Sequence, residues 1–294
     1  MRAVGAALGR QGAVRFRRGA RLDPTQVSDR RRAGGAPLAV GAGGGLIGLV
    51  FLLVQVLGGG GATDLALGGD EPATDLSAEC RTGEDAAQSE DCRILAVVNS
   101  VQESWTERLD GYQEAQTVFF SGQVQTGCGG ASSAVGPFYC PLDATVYIDL
   151  DFYDDLRSRF GATGGPFAEA YVIAHEYGHH VENLTGVLER AQDGTTGPTS
   201  SAVRVELMAD CLAGMWAEAA ERTEVIEDLT EADIRDGLDA ASAVGDDRIQ
   251  ERVQGRVDPE SWTHGSAEQR QRWFMVGYRE ASLDACDTFA TDRL

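Results

Sequence analysis

The chain contains four histidines, and three of them fall together in Ala174-His175-Glu176-Tyr177-Gly178-His179-His180. The pattern is His-Glu-x-x-His. On a helix, positions i and i+4 share one face, so the rings of His175 and His179 can converge on one divalent cation. Glu176 stands beside them and can serve a water on that cation as general base. The expected chemistry is metal-assisted hydrolysis. A catalytic zinc usually takes three protein ligands and keeps its fourth position open. The extended pattern with a third histidine needs Gly at 182 and His at 185; the chain has Glu182 and Thr185. Glu206-Leu207-Met208-Ala209-Asp210 is the better source. Glu206 is expected as the third ligand, from a second helix. Asp210, one turn on, is placed to accept the other ring N–H of a ligating histidine, which fixes its tautomer. Glu182 is the rival ligand, but two turns from His175 on the same helix it closes a compact tetrahedron poorly.

The tetrahedral intermediate of such a hydrolysis needs a donor for its oxyanion. His264, just ahead of a helix start at Ser266, and Tyr177 are the candidates. The plain alternatives are a capping histidine and a tyrosine packed beside the motif helix. A strand over Val146–Phe152 could pair with an extended substrate or simply be core.

The elements that must carry these residues are legible in the pattern. A helix is predicted from Pro166, after Gly164-Gly165, to Leu184, with Gly186 able to end it. A Gly/Thr/Ser/Pro loop over 193–201 leads to a second helix over 202–220. Thr230-x-x-Asp233 and Ser266-x-x-Gln269 resemble capping boxes opening two more. Upstream, Ile94, Val97, Val98, Val101, Trp105, Leu109 and Tyr112 recur at steps of three and four, the mark of an amphipathic helix. Residues 117–123 read as a strand. Val146, Ile148, Leu150 and Phe152 alternate with polar neighbours, a period-2 strand. Strands followed by helices predict an α+β domain. Trp216, Trp262, Trp273 and Phe274 are expected in its core, and Arg270, Arg272 and Arg279 against nearby carboxylates.

Charge and cysteine bound the rest. The formal charge of −21 excludes a general nucleic-acid binder, which needs a basic footprint. Residues 1–37 carry nine Arg against Asp23 and Asp29, a net of +7, which leaves −28 on the remainder. An uncharged apolar run, residues 38–57, is long enough to span a bilayer as a helix. The positive-inside rule then predicts a basic cytoplasmic tail over 1–37 and export of residues 58–294. Residues 58–79, Gly-rich and acidic, read as a flexible tether before a domain over 80–294. All six cysteines lie beyond the apolar run, as disulfides in an exported region would. Short spacings suggest Cys80–Cys92 and Cys128–Cys140, leaving Cys211–Cys286, although six cysteines allow 15 pairings.

Taken together, H-E-Y-G-H-H and E-L-M-A-D-C-L-A-G-M-W resemble the putative neutral zinc metallopeptidase family, membrane-anchored bacterial proteins of zincin type. The resemblance runs on through Gly245-Asp246-Asp247-Arg248-Ile249-Gln250, Thr263-His264-Gly265-Ser266-Ala267-Glu268-Gln269-Arg270 and Ala285-Cys286-Asp287-Thr288-Phe289-Ala290. It implies a zincin-like fold and one catalytic zinc on His175, His179 and Glu206. It also implies Glu176 as base, a polypeptide substrate and a place in the cell membrane. Glu182 departs from the Gln expected of the family. Two other readings stay open at this point: a zinc-binding interaction domain without turnover, and a zinc hydrolase of cell-wall peptides. Glu176 argues against the first, because a structural zinc site needs no base.

Overall fold

The computed structural model describes residues 14–31 and 76–294. Two short strands lie near its start, β1 (Arg15–Phe16) and β2 (Val27–Asp29). Two helices follow, α1 (Gly83–Ala86) and α2 (Glu90–Arg108). The apolar repeat predicted for α2 is what buries it: Ile94, Val97, Val98, Val101 and Trp105 are each at most 1% exposed. Then come β3 (Gln116–Phe119), the hairpin β4 (Gln123–Thr126) and β5 (Gly129–Ser132), β6 (Phe138–Cys140) and β7 (Thr145–Ile148). The main sheet has the order β2-β3-β7-β6, with β2, β3 and β7 parallel and β6 antiparallel to β7.

β7 is shorter than its alternation predicts. The Asp149 side chain accepts the Asp151 N–H, and α3 (Asp151–Ser158) starts there, so Phe152 is helical. All four residues of β7 are buried. The expected pairing of this strand with substrate is also corrected: β3 and β6 flank it on both sides and take its backbone groups.

Helices supply the second layer: α4 (Pro166–Leu184), α5 (Val187–Arg190), α6 (Ser201–Ala219), α7 (Glu231–Ala243), α8 (Asp246–Gln254) and α9 (Ala267–Glu280). A last strand, β8 (Ile226–Asp228), lies between α6 and α7. Both predicted capping boxes form, Thr230 with Asp233 and Ser266 with Gln269. Glycines set how closely the helices approach. A Cβ on Gly178 of α4 would lie 2.9 Å from the Ala209 backbone of α6. One on Gly277 of α9 would lie 1.8 Å from the carbonyl oxygen of Cys211 on α6. Any side chain at either contact would have to push the neighbouring backbone away, so α4, α6 and α9 stack with their backbones nearly touching. Trp216, Trp262, Trp273 and Phe274 are buried in this core. The three disulfides are Cys80–Cys92, Cys128–Cys140 and Cys211–Cys286, as the spacing suggests.

The N-terminal organisation corrects the sequence reading. β1 pairs antiparallel with β8, and β2 runs parallel to β3. Phe16, Leu22 and Val27 belong to the same hydrophobic core as α2 and α4. Arg31 forms ion pairs with Asp29 and, on α2, Asp91. Residues 14–31 are thus part of the domain, not a separate cytoplasmic tail. The predicted tether over 58–79 overlaps the fold, since Leu76 is buried; its residues 58–75 lie outside the described residues. The single-pass location in the cell membrane is overturned. Among the described residues no helix is long and apolar enough to cross a membrane. The apolar run over 38–57 lies outside the described residues. One crossing between Asp29 and Leu76 would also put β2 and its partner β3 on opposite sides of the bilayer.

Candidate metal centre and active site

The site is built where α4, α6 and α9 meet. His175 and His179 lie one turn apart on α4, with ring centroids 4.8 Å apart and planes at 83°. Glu206, on the first half of α6, faces both. Its Oε2 lies 3.2 Å from His175 Nε2 and its Oε1 3.6 Å from His179 Nε2. One ligand atom from each of the three residues lies within 4.8 Å of the others. All three residues are buried. His179 Nε2 and both carboxylate oxygens of Glu206 have no hydrogen-bond partner. Buried polar atoms are ordinarily satisfied. Two imidazoles and a carboxylate that converge, with His179 Nε2 and the Glu206 oxygens unsatisfied, suit a zinc ion in both type and number.

The outer nitrogens of the rings are held. Asp210, one turn beyond Glu206, places Oδ1 2.9 Å from His175 Nδ1. Arg270 of α9 donates to both oxygens of Asp210, at 2.8 and 3.0 Å. Tyr171 also donates its hydroxyl to Asp210. Burial opposes ionisation of Asp210, but Arg270 and His175 outweigh it and hold its pKa below the usual range. An ionised Asp210 only accepts, so Nδ1 of His175 carries the proton and Nε2 is turned toward Glu206. Burial likewise opposes a charged Glu206, yet His264, His179 and His175 pull its pKa well below the ordinary carboxylate value.

Glu182, the rival ligand, is elsewhere. It places Oε2 2.8 Å from His179 Nδ1, on the side of the ring away from Glu206. Burial, with Glu206 nearby, holds its pKa well above the usual range. A glutamine amide could make the same contact, so the departure from the family pattern leaves the ligand set intact.

Glu176 is buried, and its Oε2 has no partner. Burial raises its pKa, partly offset by His175 and His179. His264 lines the same cleft as His175 and Glu176. Its Nδ1 lies 3.1 Å from Asp246 Oδ1. The other oxygen of Asp246 accepts the backbone N–H groups of Thr263, His264 and Gly265. One carboxylate therefore fixes both the loop and the ring. Tyr177, the other oxyanion candidate, is fully buried and hydrogen-bonded to the Thr117 hydroxyl at 2.9 Å. It packs against the sheet and does not reach the cleft. His180 is likewise structural, held by Tyr139 and the Gln113 carbonyl.

Sequence reasoning did not single out Asp246, or the approach of the Arg270 guanidinium to within 3.3 Å of His175 Nδ1. For Asp246 the available signal was an acidic residue opening a helix, next to a Thr-His-Gly loop that needs an acceptor. For Arg270 its place on the last large helix and its pairing with a carboxylate were legible, but not which carboxylate.

A helix-borne histidine pair, completed by a glutamate from the next long helix and adjoined by a free carboxylate, has the donor set of a zinc hydrolase. The chain belongs to the putative neutral zinc metallopeptidase family, whose model matches residues 15–289. That match begins at β1, in agreement with the place of residues 14–31 in the fold. The chain is 57% identical over 226 residues to the uncharacterized protein Rv2575 of Mycobacterium tuberculosis, covering 74% of this chain and 77% of that one. It is 39% identical over 285 residues to the uncharacterized protein YpfJ of Escherichia coli, covering 92% and 97%. No solved structure matches it.

Proposed function

We propose that the chain is a zinc-dependent peptidase of zincin type acting on polypeptides, with His175, His179 and Glu206 as the metal ligands. The supporting observation is the set of unsatisfied buried atoms: His179 Nε2 and the Glu206 carboxylate face one point, with the unpartnered Glu176 carboxylate alongside. A zinc ion held there supplies Lewis acidity, lowering the pKa of a water toward ~7 and polarising a carbonyl. Glu176 takes the proton of the attacking water and returns it to the leaving amine. Its burial keeps it a strong enough base for that exchange. Asp210 fixes the tautomer of His175, and Arg270 fixes Asp210. Glu182 orients His179. Burial opposes a charge on His264, but Glu206 and Asp246 raise its pKa; anchored through Nδ1 by Asp246, the imidazolium donates from Nε2 to the oxyanion.

The test uses the full chain and its Glu176→Gln variant. Elemental analysis is expected to find one zinc per chain in both, and only the parent cleaves casein. A folded sample that binds no zinc refutes the proposal, as does equal cleavage by the variant.

A further inference from the structure

The cleft lined by His175, Glu176 and His264 has a volume of about 110 Å³ and extends past Glu176 between apolar walls. Its walls come from separated parts of the chain: Phe152 and Phe160 on and just after α3, Val172 on α4, Val244 after α7 and Ile249 on α8. Val172 precedes Glu176 by four residues, so this wall and the proposed base lie on one face of α4. The loop before β6 closes the far side at close quarters. A Cβ on Gly136 would lie 3.1 Å from the Phe152 ring, and Gly136 has a φ of +77°.

Apart from Glu176, the charged groups lining this pocket are already engaged. Asp155 and Arg159 pair with each other at 2.7 Å. Arg270 is committed to Asp210 and the Tyr171 hydroxyl. An anionic side chain entering the pocket would lose water, face Glu176 and gain no free counter-ion, whereas an apolar one gains burial. Size narrows the choice further. A cavity of roughly 150 Å³ lodges a benzene molecule. The smaller pocket here suits an aliphatic chain better than an indole.

We infer that this pocket is a substrate subsite for one aliphatic side chain, of the Leu or Met class, adjoining the bond that Glu176 serves. The inference rests on the peptidase reading and names the substrate class for that site.

Two readouts keep the inference and the reading apart. The first is binding, by titration calorimetry, to the zinc-loaded full-length Glu176→Gln protein, which needs no turnover. The probes are Gly/Ser peptides that differ at one residue: Leu, Ala, Asp or Trp. The Leu peptide is expected to bind roughly tenfold or more tighter than the Asp and Trp peptides. The second is mass-spectrometric mapping of casein cleavage by the parent protein, with Leu and Met expected to be enriched at one fixed position beside the cut. Ile249→Trp, at a half-buried position, should fill the pocket, lower binding of the Leu peptide to the level of the Ala peptide and abolish the enrichment. Val172→Phe should act in the same direction from the opposite wall. Cleavage without an aliphatic preference overturns the subsite and leaves the peptidase reading standing. Leu-selective binding with no cleavage by the parent keeps the subsite and overturns the peptidase. Neither selective binding nor cleavage overturns both.

Discussion

Asp210→Asn is the substitution that most directly tests how the centre is held. The variant keeps the shape of the side chain and removes its charge. Asp210 accepts from His175, Tyr171 and twice from Arg270, and it is fully buried. Removing one partner of a buried ion pair costs about 3–5 kcal/mol, because the other charge is left without compensation. At about 2–4 °C per kcal/mol for a domain of this size, the melting temperature should fall by about 6–20 °C. The nearest remaining carboxylate to Arg270 is Glu206, at 4.0 Å. Arg270 then competes with the metal for Glu206, while His175 loses the acceptor that orients it. Loss of such an outer partner typically lowers metal affinity 10–100-fold. The assay is chelator-competition titration with zinc, alongside thermal melts of metal-free and loaded protein. Adding Arg270→Met to Asp210→Asn removes the stranded charge, so stability should largely return while zinc affinity stays low. A single variant that melts with the parent and holds zinc as tightly would refute the reasoning. So would a double variant that recovers both properties together.

Glu206→Ala should weaken zinc binding well beyond the 10–100-fold range, and Glu182→Gln should cost less than tenfold because an amide oxygen still accepts from His179; the same titration ranks them. Gly178→Ala drives a methyl into the Ala209 backbone, and a melt should show a loss of about 1–3 kcal/mol from overpacking. Replacing both Cys211 and Cys286 by Ala opens a loop of 75 residues, against 12 for Cys80 and Cys92. Chain entropy puts these at ~4 and ~3 kcal/mol, so chemical denaturation should rank the long loop as the more costly. The Arg222 and Arg108 ion pairs hold Glu218 down to a pKa of about 2. Its folded value lies below the unfolded one of ~4.3, so its contribution is complete above that pH and fades as pH falls toward 2. Glu218→Gln should therefore flatten the acid limb of the melting curve over that interval and leave its slope near pH 7 unchanged.

What could be read from the sequence was local. His175, Glu176 and His179 lie within one turn, and Glu206 with Asp210 repeats the same spacing on the next long helix. Helix geometry alone aims each set to one side. Capping boxes and the cysteine pairs are equally short-range signals. What could not be read depends on elements far apart in the chain. Arg270 reaches Asp210 only because Gly277 lets α9 lie against α6. Glu182 turns to His179 Nδ1 because its carboxyl is on the far side of the ring from Glu206. β1 and β2 are too short to leave a strand pattern. Their basic setting suggests a membrane flank, yet Arg31 is spent on Asp29 and Asp91. Val146 to Phe152 alternates cleanly, but the turn at Asp149, whose side chain accepts the Asp151 N–H, outweighs the last repeat.

The pairing of β1 and β2 bears on how the chain matures during synthesis. These strands leave the ribosome first, yet β2 must wait for Thr117 and its neighbours, and β1 for Ile226. Parallel and long-range pairings of this kind are slow to nucleate and aggregation-exposed while incomplete. The main sheet can therefore close only once β7 has been made, about midway through translation and ahead of α4, whereas the β1–β8 pair stays open until α4 and α6 have been made. Shortening the chain from its amino end to a start at residue 80 would strip an edge from β3 and leave Phe119 without the Arg31 side chain over its ring.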